Sequence, residues 1–228
     1  SLVGSEMCIR DRAYIEQGYN IIFGTTFGYL DAMAEMAEEY PDVIFLHCSG
    51  YLKNDTNFGN YFGKMYQPRY LSGLAAGAMT ESNKIGYVAA FPIPEVIRGI
   101  NAFATGVKDV NPEATVEVVW TFTWFGPEAE TQAANALLET GVDVLAQHQD
   151  SPSTGIAAEA AGAKWISYNT AYGQEAAPGA FVTAPVWDWG PYYVDVVESI
   201  INDEFLAEAY WGGMETGLVS LYELTSDV

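Results

Sequence analysis

The segment Gln147-His148-Gln149-Asp150-Ser151 sets five polar side chains directly after an apolar run and before a short helical pattern. Two kinds of chemistry fit those residue types. His148 and Asp150 are two members of a hydrolytic triad, with Ser151 or Ser153 as nucleophile, although no nucleophile elbow or oxyanion pattern accompanies them. Amides and a carboxylate also supply paired donors and acceptors for the edge of a small neutral heterocycle, and Gln147, Gln149 and Asp150 suit that better. A solvated loop accounts for the residue types equally well. Phe27, Trp124, Phe125, Trp187 and Trp189 fall at strand ends or in loops, where large rings suit stacking on a flat ligand; core packing is the alternative for each. Asn169 follows the strand-like Trp165–Tyr168, and its amide donates and accepts at once, as a purine edge requires.

Other chemistry is poorly supplied. No phosphate-binding loop, dinucleotide fingerprint or Gly-x-Ser-x-Gly elbow is present. Gly24-Thr-Thr-Phe-Gly28 joins a strand to a helix without a phosphate-binding lysine, so it reads first as a tight turn. His47 and Cys48 are neighbours in a strand and point to opposite faces, which disfavours a Cys-His nucleophile. With two histidines and two cysteines, neither a metal site nor a disulfide scaffold is expected, and nothing calls for a cofactor.

The elements that must hold these residues alternate. Strands are expected at Tyr19–Phe23, Val43–His47, Lys84–Phe91, Thr115–Phe122, Val142–Gln147, Trp165–Tyr168 and Phe181–Val186. Helices are expected at Gly28–Tyr40, Tyr61–Thr80, Glu95–Val110, Pro127–Glu139 and Thr154–Ala161, with another running to Ile201. Gly141, just past one helix, suits a left-handed cap. The pattern predicts an α/β fold of parallel sheets with helices on both faces, and binding loops at the carboxyl ends of the strands. The Asn-rich stretch Asn54–Asn60 reads as a hinge or domain crossing.

In a chain of 228 residues, thirty acidic side chains against nine basic give a formal charge of −21. That argues against a nucleic-acid or anionic-membrane surface, since both need a basic footprint. Half the residues are hydrophobic, enough for a sizeable core, yet no stretch approaches the ~18 consecutive apolar residues of a membrane span. Residues 1–12 show neither alternation nor a helical stripe and are similar to translated sequencing-adaptor read-through, so they are set aside as an artefact.

Several motifs, in order, resemble the basic membrane protein family of ABC-transporter substrate-binding lipoproteins, relatives of the purine-nucleoside receptor. They are the segment from Phe23 to Ala32, Lys84 to Arg98, Ala146-Gln-His-Gln-Asp-Ser-Pro152, and Thr183-Ala-Pro-Val-Trp-Asp-Trp-Gly-Pro-Tyr-Tyr193. The resemblance implies a type I periplasmic-binding-protein fold with two α/β lobes around a hinged cleft, here lacking the family's first strand and part of its tail. Residues 13–60 and 187–228 would form one lobe and 61–186 the other. It implies a purine base or nucleoside as ligand, an ABC permease as partner, and a periplasmic or cell-surface location through a lipid anchor absent from this sequence. By the same resemblance, Phe27 covers one face of the base. Asn169 stands where nucleoside-binding members carry aspartate, Trp187 where they carry lysine, and Gly99 near their second stacking aromatic. The lost acid and lysine favour an adenine-like free base, stacked by Trp187 or Trp124. A sugar or small-metabolite receptor of the same fold is the runner-up, though only Arg69 and Arg98 are available for its usual charged pairs. A nucleosidase or hydrolase working through His148 and Asp150 is the third reading.

Overall fold

A computed structural model describes residues 11–225. Its elements run β1 (Ile21–Gly24), α1 (Leu30–Glu39), β2 (Ile44–Cys48), β3 (Phe58–Gly63), α2 (Tyr66–Met79), β4 (Lys84–Ala89), α3 (Pro94–Val110) and β5 (Thr115–Trp120). There follow α4 (Pro127–Glu139), β6 (Val144–His148), α5 (Ser153–Ala161), β7 (Lys164–Ile166), the single turn α6 (Gly173–Ala176), β8 (Phe181–Thr183) and β9 (Pro185–Trp187). The chain closes with α7 (Gly190–Ile201), β10 (Ala209–Gly212) and β11 (Val219–Leu221).

The chain divides into two compact units. The first holds the described residues up to Lys64 together with Trp189–Gly212. Its sheet has the order β1-β2-β3-β10, parallel throughout. Ile22, Phe45 and Phe58 from the strands meet Leu30, Met33, Met36 and Ala37 of α1 in one core. The buried Tyr61 ring stacks on Tyr192, with centroids 4.7 Å apart, and meets Trp189 and Tyr193 edge-on.

The second unit, Met65–Asp188 with the chain from Gly213 onward, has a five-stranded parallel sheet of order β5-β4-β6-β7-β8. Strand alternation sorts its side chains to two faces. Ile85, Tyr87 and Ala89 of β4, with Val144 and Ala146 of β6, pack under Val96, Ile100, Phe103 and Val107 of α3. Val88 and Leu145 face the other way, towards Ala133, Ala134 and Leu137 of α4 and Ala157 and Ala158 of α5. Helices therefore cover both faces, as two-sided apolar strands demand.

Three expectations change. Asn54–Asn60 is not a domain crossing but lies inside the first unit, where Asn54 Oδ1 accepts the amides of Thr56, Asn57 and Phe58, and Asn57 donates to the carbonyls of Ala37, Tyr40 and Val43. That turn launches β3, so Tyr61–Gly63 is strand where a helix was expected, and the boundary between units falls after Lys64. The chain from Gly213 to 225 belongs to the second unit and not the first, because β11 pairs antiparallel with β9 and the amides of Tyr222 and Thr225 bond to Ala184 and Val182. Gly141 is left-handed as expected, with φ of 88°.

Helices α2 and α3 touch backbone to backbone. A Cβ on Gly73 would stand 2.1 Å from the Phe103 carbonyl oxygen, and one on Gly106 would stand 2.2 Å from that of Tyr70. Neither carbonyl is free to swing aside, since each belongs to a helix ladder. Gly73→Ala is therefore expected to destabilise the chain by at least the ~1–3 kcal/mol of ordinary overpacking, read as a lower urea midpoint with an unchanged slope. An unchanged midpoint would mean the helices are not in this contact.

Candidate functional site

In the second unit, β4 lies between β5 and β6, so the strand order reverses there. Ligand loops of open parallel sheets gather outside such carboxyl ends. The loops after β6 and β7 line a cavity of about 250 Å³, whose wall includes Gln149, Asp150, Ser167, Tyr168, Asn169 and Tyr172.

Gln147 organises this wall. Its buried Nε2 donates to the carbonyls of Gln149 at 2.9 Å and Ser151 at 2.8 Å, while its Oε1 accepts from Trp165 Nε1 at 3.0 Å. Its amide is fully engaged by the protein, so this side chain shapes the loop from behind. Room for the Trp165 indole comes from Gly155 and Gly173, where any Cβ would lie within 2.5 Å of the ring. Glu130, also buried, accepts the Ser151 hydroxyl and the Gly126 amide, tying the start of α4 to the same loop.

The remaining expected residues divide. Gln149 is buried; its Nε2 donates to Thr121 Oγ1 and its Oε1 has no protein partner. Asp150 is exposed at the rim, with its backbone amide bonded to the Trp124 carbonyl. Partial enclosure of its carboxyl, with the nearby charges of Glu130 and Glu95, raises its pKa to about 6. Asn169 adopts a left-handed backbone, φ 61°, which asparagine tolerates, and its Oδ1 accepts from Trp187 Nε1 at 2.9 Å. Trp187 thus reaches the site through Asn169. Trp124 packs half-buried against Phe91, its ring centroid 6.0 Å from that of His148. Phe27 belongs to the first unit, half-buried in a single 3-10 turn after β1.

The structure separates the groups of the suggested triad. Ser151 Oγ bonds to Glu130 and Ser153, whereas His148 Nε2 bonds to the Tyr168 hydroxyl at 2.8 Å. Burial, and then the nearby Arg69 cation, lower the pKa of His148 against the opposing pull of Glu95, so the ring is neutral near pH 7. Among the described residues no group of three or more His, Cys, Asp or Glu is placed to hold a metal ion, and no helix is long and apolar enough to cross a membrane.

Two aromatic residues of the wall escaped the sequence reading. Tyr168 is the last residue of the strand expected at Trp165–Tyr168, while Tyr172 meets the loop criterion that selects the other rings and stands 81% exposed. Arg69, named as one of two arginines available for a sugar site's charged pairs, is wholly buried beside Tyr168.

Residues 5–228 match the Bmp family, described as ABC transporter substrate-binding protein PnrA-like, and the chain belongs to that family. It is 50% identical over 210 residues to a Haloferax volcanii protein named as the ABC transporter glucose-binding protein TsgA13, covering 92% of this chain and 53% of that one. It is 38% identical over 214 residues to the purine-binding protein BAB2_0673 of Brucella abortus, covering 92% and 59%. The chain thus spans less than two-thirds of the length of these curated relatives. A solute-binding protein of an ABC transporter system from Conexibacter woesei superposes with a TM-score of 0.78 at 22% identity, covering 98% of this chain and 75% of that one. The fold is the type I periplasmic-binding-protein fold.

The raised Asp150 pKa has a directional consequence. An unfolded aspartate ionises near pH 4, whereas the folded one holds its proton to about 6, so its ionisation weakens the folded state across that window. Relative to the wild type, Asp150→Asn is expected to gain stability as pH rises from about 4 to about 6 and to hold the gain above that. Urea midpoints at several pH values test this; a difference flat in pH would place the carboxylate in open solvent.

Proposed function

We propose that this chain carries the ligand-reading surface of an ABC-importer substrate receptor for a purine base or nucleoside, working with a permease outside the cytoplasm. The observation that carries the reading is the cavity after β6 and β7, whose lining residues include Gln149, Asp150, Asn169 and Tyr172. At about 250 Å³ it lies below the ~300–1,000 Å³ of common ligand pockets, which favours a free base such as adenine over a nucleoside. A flat heterocycle satisfies the residue types: a ring on which Tyr172 stacks, and an edge offering both donors and acceptors. The function requires binding and release, with no bond made or broken. The name of the Brucella relative agrees with this ligand class.

The name of the Haloferax relative supports a second reading, a sugar, because that protein is the more similar in sequence. Tryptophan fluorescence separates the two. Titration with adenine, hypoxanthine, adenosine, ribose and glucose should give a saturable change with a base and none with glucose. Tyr172→Ala should weaken base binding about tenfold, as loss of a stacking ring does. A response to glucose alone would replace the purine reading with the sugar one, and turnover of adenosine would return the hydrolase.

A further inference from the structure

His47 is one of two histidines in the chain, and the cavity of the second unit makes no use of it. It stands near the carboxyl end of β2 in the first unit and is wholly buried. Its Nε2 lies 2.9 Å from the carbonyl oxygen of Thr26, in the loop that follows β1. A carbonyl only accepts, so Nε2 carries the proton and the neutral ring is fixed as one tautomer. Nδ1 is then a bare lone pair, buried without a partner. A carbon built on Gly50 would stand 2.0 Å from Nδ1 and 2.8 Å from Leu30 Cδ1, so backbone and an aliphatic side chain close that edge of the ring.

The Thr26 carbonyl also accepts the Tyr29 amide at 3.1 Å, and so starts the 3-10 turn Phe27–Tyr29. Thr25, Thr26 and Gly28 are exposed. A single turn of this kind has poor internal hydrogen bonding and little of its own to hold it. Its place is the carboxyl end of a parallel strand, where ligand loops gather.

We infer that His47 is a positioning residue of the ligand site, pinning the turn that presents Phe27 and releasing it when the imidazole takes a second proton. The inference rests on Phe27 being a ligand-facing ring, as the proposed function has it. A second proton can add only at Nδ1, where it meets no acceptor, and a buried cation so placed is costly. Turning the ring towards water relieves that cost and breaks the bond to Thr26. The neighbours bring no compensating charge. Gly24 of β1 and Asn60 of β3 stand opposite His47 in register, α1 brings Leu30, and the loop after β2 brings Gly50. Cys48, next in the strand, points to the opposite face. Burial holds the His47 pKa below its ordinary value, against the pull of the Thr26 bond, and among the described residues no charged side chain acts on it. The hold on the turn is therefore complete above the ordinary histidine pKa of about 6.5 and weakens as pH falls below it.

The test uses the intact chain. In a nitrogen-15 spectrum at neutral pH, His47 should show a protonated Nε2 and a bare Nδ1. Exchange of the Tyr29 amide, corrected for its intrinsic rate, should lose protection by up to about tenfold per pH unit below about 6.5. His47→Gln offers an amide N–H near the Nε2 position and does not titrate. It should match the wild type at neutral pH and abolish the acid loss, while His47→Leu should lose protection at every pH. In adenine titrations His47→Leu should bind about fivefold more weakly, the worth of one hydrogen bond, and His47→Gln should restore the affinity. Asp150 titrates in the same window, but it is common to all three proteins, so their differences report His47. A proton on Nδ1 of the neutral ring, protection flat in pH, or a glutamine variant as acid-sensitive as the wild type would overturn the inference. Adenine bound equally by all three would remove His47 from the ligand site. The expected exchange pattern with no response to adenine in any of them would strike the purine reading and leave the hold on the turn standing.

Discussion

One buried carboxamide, Gln147, joins most of what matters in the second unit. Its two donors hold the carbonyls of Gln149 and Ser151, its acceptor takes the Trp165 indole, and its backbone oxygen receives Arg69. A strand cannot end on a polar loop inside a protein unless the loop's backbone groups find partners. Here a single side chain supplies two of them, and so sets where Asp150 and the Gln149 side chain stand. The neighbouring glycines follow from the same constraint, since Gly155 and Gly173 must lack side chains for the indole to reach Gln147. The site is therefore built inward from its rim, with polar groups in the core spent on holding the few that face the cavity.

Much of the architecture was legible because two-sided parallel sheets leave a strong trace. Apolar strands alternating with amphipathic helices gave the order of elements, and Gly141 and Gly162 mark helix ends with positive φ in the structure. Strand β3 escaped because Phe58-Gly-Asn-Tyr-Phe-Gly63 mixes glycine and asparagine with its apolar residues, and its start is fixed by side-chain bonds from Asn54 that composition does not reveal. Strands β10 and β11 escaped because short segments gain their identity from a distant partner, β3 in one case and β9 in the other.

The candidate site was legible by location more than by role. Gln147, Gln149, Asp150 and Asn169 all border one cavity, yet residue type could not say where each amide is spent. Gln147 gives every hydrogen bond to the protein, Asn169 is engaged by Trp187, and Gln149 keeps its oxygen unpartnered. Arg69 was the hardest to foresee. A long cation on a helix normally lies in water, and only the tyrosine faces against it reveal that it does not.

The glycine contact between α2 and α3 reaches further than packing. Arg69 lies on α2 one turn before Gly73, and Gly99 lies on α3 one turn before Phe103, the residue whose carbonyl Gly73 meets. The spacing that admits no methyl group is thus also the ruler that sets a buried positive charge against the next helix. A steric error made at Gly73 would be felt one turn away as an electrostatic one, because Arg69 bonds to the Gln147 carbonyl and lies against Tyr168, two residues of the cavity wall.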